Sequence, residues 1–154
     1  MLRLSVYILL IMMSQKAFSE SLVEKTWYCS SKYSVGELEN IIEDKINFKK
    51  DGRYSLSTNI KFVEIGGKKS ELSAFLDGDY SYDDGILEYK EVRNVNIQIE
   101  SDDLGMLTPD SLENLKDILN QNSEAKYKTL KLSSETWVSQ NSVSDEKIAC
   151  YTKK

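Results

Sequence analysis

Between residues 46 and 62 the chain reads "INFKKDGRYSLSTNIKF", and its apolar positions recur at every second residue. Ile46 and Phe48 alternate with polar neighbours. Asp51-Gly52 interrupts, and Tyr54, Leu56, Thr58, Ile60 and Phe62 then alternate with Arg53, Ser55, Ser57, Asn59 and Lys61. A period of two puts one set of side chains on one face of a strand, so the stretch predicts two half-buried strands joined by a tight Asp-Gly hairpin. The residues before it admit two readings. Ser34-Val35-Gly36-Glu37 has the form of a capping box, and Val35, Leu38, Ile41 and Ile42 fit one face of a short helix. Yet Leu38, Asn40, Ile42, Asp44, Ile46 and Phe48 share a parity that runs unbroken into the hairpin, so a single strand is the simpler account.

Alternation continues downstream. "IGGKKSE" supplies a turn, and "LSAFLDGDYSY" puts Leu72, Ala74, Leu76, Gly78, Tyr80 and Tyr82 on one face. "DDG" at 83–85 turns the chain again, and "ILEYKEVRNVNIQIE" reads as a long strand with Leu87, Tyr89, Val95, Ile97 and Ile99 in phase. Glu91 and Arg93 fall on that face while Val92 falls on the other, which places a bulge or bend near Arg93 and Asn94. "LTPDSLENLKDILNQNSE" breaks the pattern. Thr108 can cap, Pro109 takes the first helical position, Asp110 lies in the first turn, and Leu112, Leu115, Ile118 and Leu119 recur at helical spacing, so a helix is predicted over 109–120. Its narrow apolar stripe needs a partner. A helix packed on the outside of the sheet is the reading taken, with a plug or lid over a barrel mouth as the alternative.

Three short strands complete the chain: "AKYKTLKL", "ETWVSQ" and "EKIACYTK", with Ser133-Ser134 as the first connection and "NSVSD" as the second. A first strand around "LVEKTWYCSS" brings the total to eight. Eight antiparallel strands in sequential order close by pairing the first with the last, which removes the exposed edges. The expected fold class is therefore mainly β: an eight-stranded antiparallel meander barrel with one inserted α-helix near 109–120. An open sandwich whose terminal strands meet is the second reading.

The N-terminal residues change the picture by setting a compartment. Arg3 is followed by ten mostly apolar residues from Leu4 to Met13, and Ala17-Phe18-Ser19 gives the small-x-small pattern of a cleavage site before Glu20. This predicts a signal peptide over 1–19 and one domain over 20–154, with no membrane anchor once the leader is removed; the apolar run falls short of the ~20 residues that span a bilayer. Removal takes away Arg3 and Lys16 and no acid, so the net charge moves from −5 to −7. That balance argues against nucleic acid or an anionic membrane as a partner and leaves a basic protein partner open. A periplasmic or secreted location follows.

Export also bears on the chain's two cysteines, Cys29 and Cys150. An oxidising compartment favours their pairing, and a bridge over so long a loop would contribute about 4–5 kcal/mol on the chain-entropy model. A free buried thiol and half of a metal site are the competing readings, but with no histidine in the chain zinc lacks its usual ligands. If the barrel closes, the first and eighth strands are neighbours and the bridge staples their seam. Trp27 and Cys29 share one face of the first strand, as Ile148 and Cys150 share one face of the eighth.

Taken together, "TWYCSS", "INFKKDGRYSL", "LDGDYSYDDGILEY", "LKLSSETWV" and "IACYTK" resemble the lipocalin-like domains of small exported bacterial proteins, over most of residues 22–153. The resemblance lies in strands and turns. The Gly-x-Trp start of lipocalins reads Lys25-Thr26-Trp27 here, and the helix at 109–120 is an addition. It implies a barrel built to hold a small molecule.

Catalytic chemistry is not legible in the chain. Without histidine, Ser-His-Asp and Cys-His catalysis are ruled out, and there is no Gly-rich phosphate loop, Cys-x-x-Cys or Walker-type lysine. The acid clusters at Glu37/Glu39/Glu43/Asp44, Asp77/Asp79, Asp83/Asp84 and Asp102/Asp103 read as solvated turn and strand residues. Calcium at Asp77, Asp79, Asp83 and Asp84 suits oxygen ligands, but turn chemistry explains Asp83-Asp84-Gly85. No catalytic residue, metal or cofactor is expected, and the chain is not read as an enzyme. The functional expectation rests on the barrel interior, where Trp27, Phe48, Tyr54, Phe62, Tyr80, Tyr82, Tyr89 and Trp137 either line a ligand cavity or fill a core. A filled or nearly filled core is the reading taken. Two functions follow: an exported binding protein holding a small apolar ligand, or a periplasmic inhibitor or immunity-type module acting on a basic partner through its acidic surface.

Overall fold

A computed structural model of the chain describes residues 22–121 and 125–153. The leader read at 1–19 and its cleavage site lie outside the described residues. The elements in chain order are β1 (Thr26–Val35), β2 (Leu38–Phe48), β3 (Arg53–Glu64), β4 (Lys69–Asp83), β5 (Ile86–Asp102), α1 (Pro109–Gln121), β6 (Lys126–Leu132), β7 (Thr136–Asn141) and β8 (Lys147–Tyr151). Every strand pairs with its sequence neighbours, and β1 pairs with β8, so the sheet is a closed antiparallel meander barrel. Residues 38–48 form strand throughout, and Gly36 lies in the hairpin turn instead of a helix cap. Asp84 and Gly85 both take positive φ, 46° and 76°, as a two-residue turn between right-twisted strands requires.

The alternation read from the sequence becomes inside and outside. Outward positions carry charges paired across strands, among them Lys61 to Glu43 at 2.8 Å and Lys32 to Glu39 at 2.8 Å. The outer wall there is polar, unlike the apolar band of a membrane barrel. Among the described residues no helix is long and apolar enough to cross a membrane.

The expected irregularity in β5 is present and repeated. Its register against β4 shifts three times, and Glu91 and Asn94 take φ of 24° and 53°. The bulge at Glu91 explains Gly78. A Cβ there would sit 2.1 Å from the Glu91 carbonyl oxygen and 2.7 Å from the Tyr54 ring, so the bulged strand and the ring occupy the space a side chain needs. Tyr54 is the direct cross-strand partner of Gly78.

Two halves of the barrel differ in height. β1 to β5 run 10 to 17 residues, whereas β6 to β8 run 5 to 7. β8 pairs with β1 only at Tyr28 and Cys29, and β6 pairs with β5 only over Ile86–Glu88. The upper parts of β1 and β5 therefore rise above the short strands. Helix α1 packs at this mouth: Leu112 and Leu115 lie against Ile60, Leu72 and Leu107 together with Ile42, Phe62 and Ile97. Those strand residues have the inward parity, so the expectation of an outer-packed helix is corrected. The cause is chemical: the outward positions of β3 and β4, such as Asn59, Lys61, Glu71 and Ser73, offer an apolar stripe nothing to bury against.

The segment leading into α1 is tied down by Asp102, so this acid is not the solvated turn residue its sequence context suggests. Its carboxylate accepts from Ser70 Oγ and from the backbone N–H groups of Met106 (3.0 Å) and Leu107 (3.1 Å). Ser70 is fully buried, and its Oγ accepts in turn from the Leu104 N–H. The Ser70 hydroxyl, aided by the backbone donors, holds the Asp102 carboxyl below its ordinary value.

Candidate functional site

The register explains why the interior is solid at one end and hollow at the other. At the closed end, Trp27, Ile46, Leu56 and Leu76 stand side by side across β1 to β4, all large and apolar. Beneath them Phe48 meets Tyr80 edge-on at 4.8 Å and Trp137 at 5.7 Å, and Trp27 meets Trp137 at 5.9 Å. The Trp27 Nε1–H donates to the Leu22 carbonyl at 2.9 Å, which draws the N-terminal segment across this end as a floor. One rung toward the mouth, Cys150, Cys29, Asp44, Thr58 and Ala74 are cross-strand neighbours in series. Every one of these side chains is small, so this rung cannot fill the barrel.

The result is an interior cavity of about 580 Å³, within the size range of small-molecule sites. The expectation of a filled core holds around Trp27, Phe48 and Tyr80 and fails around this rung. The cavity wall is mixed. Tyr54, Tyr89, Tyr127 and Trp137 supply aromatic surface, and Ile42, Ile46, Leu56, Ile60, Leu76, Val92 and Ile148 supply aliphatic surface. Leu119 of α1 and Ala125 border it toward the mouth, and Ser31, Tyr33, Asp44, Thr58, Ser139 and Glu146 are its polar members. The disulfide itself is part of the wall: Cys29 and Cys150 are bonded at 2.03 Å with Cα atoms 4.1 Å apart. The bridge read as the seam between first and last strands is in place.

Of the seven aromatic residues nominated as barrel lining, the structure puts Tyr54, Tyr89 and Trp137 on the cavity. Trp27, Phe48 and Tyr80 instead belong to the packed floor, and Phe62 to the cluster under α1. Tyr82, named with them, also packs on the floor. All share the inward parity, and Tyr54 and Tyr89 are the cross-strand partners of Phe48 and Tyr80, so position around the barrel decides which ring reaches the cavity.

Asp44 and Thr58 are cavity residues that the alternation alone does not single out. Both stood on the apolar parity, Asp44 between Ile42 and Ile46 and Thr58 between Leu56 and Ile60, and that is the signal that could have found them. Burial pushes the Asp44 carboxyl above its ordinary value; Thr58, its partner in register, opposes that rise only in part. Thr58 is 4% exposed, and its Oγ1 has no partner at full hydrogen-bonding geometry among the described residues. Burial raises the phenols as well: Tyr54 to about 12, Tyr127 upward against a hydrogen bond from Asn141, and Tyr89 well above its ordinary value. All three are neutral at physiological pH.

Two of the four acids weighed for calcium, Asp77 and Asp79, are otherwise engaged. Asp79 forms a bidentate pair with Arg93 at 2.6 and 3.2 Å, and Asn94 donates to Asp77 at 2.9 Å, both on the outer wall. No protein-family model matches the chain, and no curated protein matches it in sequence.

Proposed function

We propose that this chain is an exported binding protein that holds a small, largely apolar molecule inside its barrel. The observation that carries the reading is the cavity of about 580 Å³, walled chiefly by aromatic and aliphatic side chains and bordered at its mouth by a helix. Such a site binds by burying apolar ligand surface and orients its guest through a few polar groups. Export is supported by the leader-like N-terminus and by the bridge between Cys29 and Cys150, which suits an oxidising compartment. The lipocalin-like resemblance is supported by the closed meander barrel. Recognition of a basic protein through an acidic surface rests on net charge alone, and the cavity turns the balance toward a carrier. The role is binding without catalysis.

Titration with N-phenyl-1-naphthylamine, a neutral apolar fluorophore that brightens on leaving water, tests this reading. Saturable enhancement at one dye per chain is expected. A flat titration, with circular dichroism showing folded β structure, would remove the carrier reading.

A further inference from the structure

The cavity wall is chemically one-sided. Asp44 and Glu146 are its ionisable acids, and no lysine or arginine is among its lining residues. Asp44 stands between Cys29 and Thr58 in the cross-strand series, well inside the barrel, while Glu146 lies at the exposed rim in the β7–β8 connection. The Asp44 carboxylate accepts and cannot donate, and the buried Thr58 hydroxyl beside it faces that carboxylate short of full hydrogen-bonding geometry. Toward the mouth on the same inward parity, outside the cavity lining, Asn40 is 5% exposed and its Oδ1, again an acceptor, is also unpartnered. Polar groups left unpaired at such depth cost free energy unless something from outside satisfies them.

Two aromatic residues stand near that acid, and a third adjoins them. Tyr54 and Tyr89 meet edge to face at 4.8 Å and 61°, and Tyr89 and Tyr127 at 5.9 Å and 84°. The three rings therefore stand as adjoining sides of a box instead of a stack. Tyr89 and Tyr127 both lie close enough to Asp44 to feel its charge. Neutral aromatic faces around a carboxylate are the chemistry that takes an organic cation out of water: the faces offer cation–π attraction and the carboxylate supplies the counter-charge. A carboxylate ligand would meet Asp44 with no compensating base.

From this juxtaposition we infer that the guest is an amphiphile with an apolar body and a protonated amine head, the head seated at Asp44 and Thr58 among Tyr54, Tyr89 and Tyr127. The inference rests on the carrier reading above and narrows it to a ligand class. The apolar body lies along Ile42, Ile60 and Leu119 toward α1. Burial without a counter-charge is what raises the Asp44 carboxyl, and an ammonium supplies that missing charge.

Decylamine, decanol and decanoic acid, which share one tail and differ in the head, separate the possibilities when each displaces N-phenyl-1-naphthylamine from the oxidised chain at pH 7.5. Decylamine is expected to bind about tenfold more tightly than decanol, and decanoate more weakly than both. In the Asp44→Asn variant the amine should lose that advantage while decanol is unchanged; Thr58→Val, of nearly equal volume, should weaken the amine by a smaller factor. Dye uptake with decanoate equal to or tighter than decylamine would overturn the ammonium site and leave the carrier reading standing. Dye uptake with an amine preference that survives Asp44→Asn would likewise overturn it. No uptake of the dye and no heat from any decyl ligand by calorimetry would overturn both.

Discussion

The two ends of this barrel are built on the same alternation and come to opposite results. At the closed end the inward positions are Trp27, Phe48, Tyr80 and Leu87, which belong to one packed cluster and leave no space. One rung higher the inward positions are Cys29, Asp44, Thr58 and Ala74, and the same backbone encloses a cavity. A period of two reports which face is inside. Whether the inside is full depends on side-chain volume summed across strands that lie far apart in sequence. Stability is thus concentrated where the barrel is solid, and binding chemistry where it is hollow.

The comparison breaks most readily at the floor. Phe48→Ala or Trp27→Ala removes a fully buried ring from the packed end and should cost about 3–5 kcal/mol in urea unfolding at equilibrium. Loss of the bridge by Cys29→Ser with Cys150→Ser should cost a similar amount, about 4–5 kcal/mol on the chain-entropy model for a separation of 121 residues. Gly78→Ala forces a methyl group onto the Glu91 carbonyl and the Tyr54 ring, so a loss of about 3 kcal/mol is expected, with β5 shifted in a hydrogen-exchange map. At the mouth the effect is smaller. Leu119→Ala should cost only about 1 kcal/mol, because that side chain is half-buried beside space that already exists, while dye exchange becomes faster.

Two acids sharpen the contrast through pH. Asp44 has its folded pKa raised, so the native chain holds that proton more tightly than the unfolded chain, and stability is lost as pH rises through the folded value. Asp102 has its folded pKa lowered, so its contribution is present above the unfolded value and is lost as pH falls through the folded one. Asp44→Asn should therefore raise the urea midpoint at neutral pH relative to the parent, and Asp102→Asn should lower it. The two differences should shrink together toward strongly acid pH. Differences of the same sign at neutral pH would contradict these placements.

The architecture was legible because it depends on local signals. Asp51-Gly52 and Asp84-Gly85 fixed two turns, Thr108-Pro109 fixed the start of α1, and unbroken parity from Leu38 to Phe48 decided strand over helix. The barrel's closure and its bridge followed from the count of strands and from where Cys29 and Cys150 fall within them. What stayed hidden was non-local. That Asp44 sits beside Thr58 and Cys29 is a matter of register, and register is set by all the hairpins together. The position of α1 depended on which sheet face had apolar surface to spare, and its own stripe does not carry that information. Tyr54 and Phe48 look alike in the sequence and face each other across neighbouring strands, and only the packing of rings around the barrel makes one a wall and the other a floor.

The central claim is that the hollow rung, and no surface patch, takes the ligand. Thr58→Phe tests it directly, because a phenyl group placed there intrudes into the cavity at that rung and leaves the outer surface untouched. N-phenyl-1-naphthylamine should saturate the parent chain at one per molecule and fail to brighten with the folded Thr58→Phe variant. Equal enhancement in both proteins would place the dye outside the barrel and contradict the account.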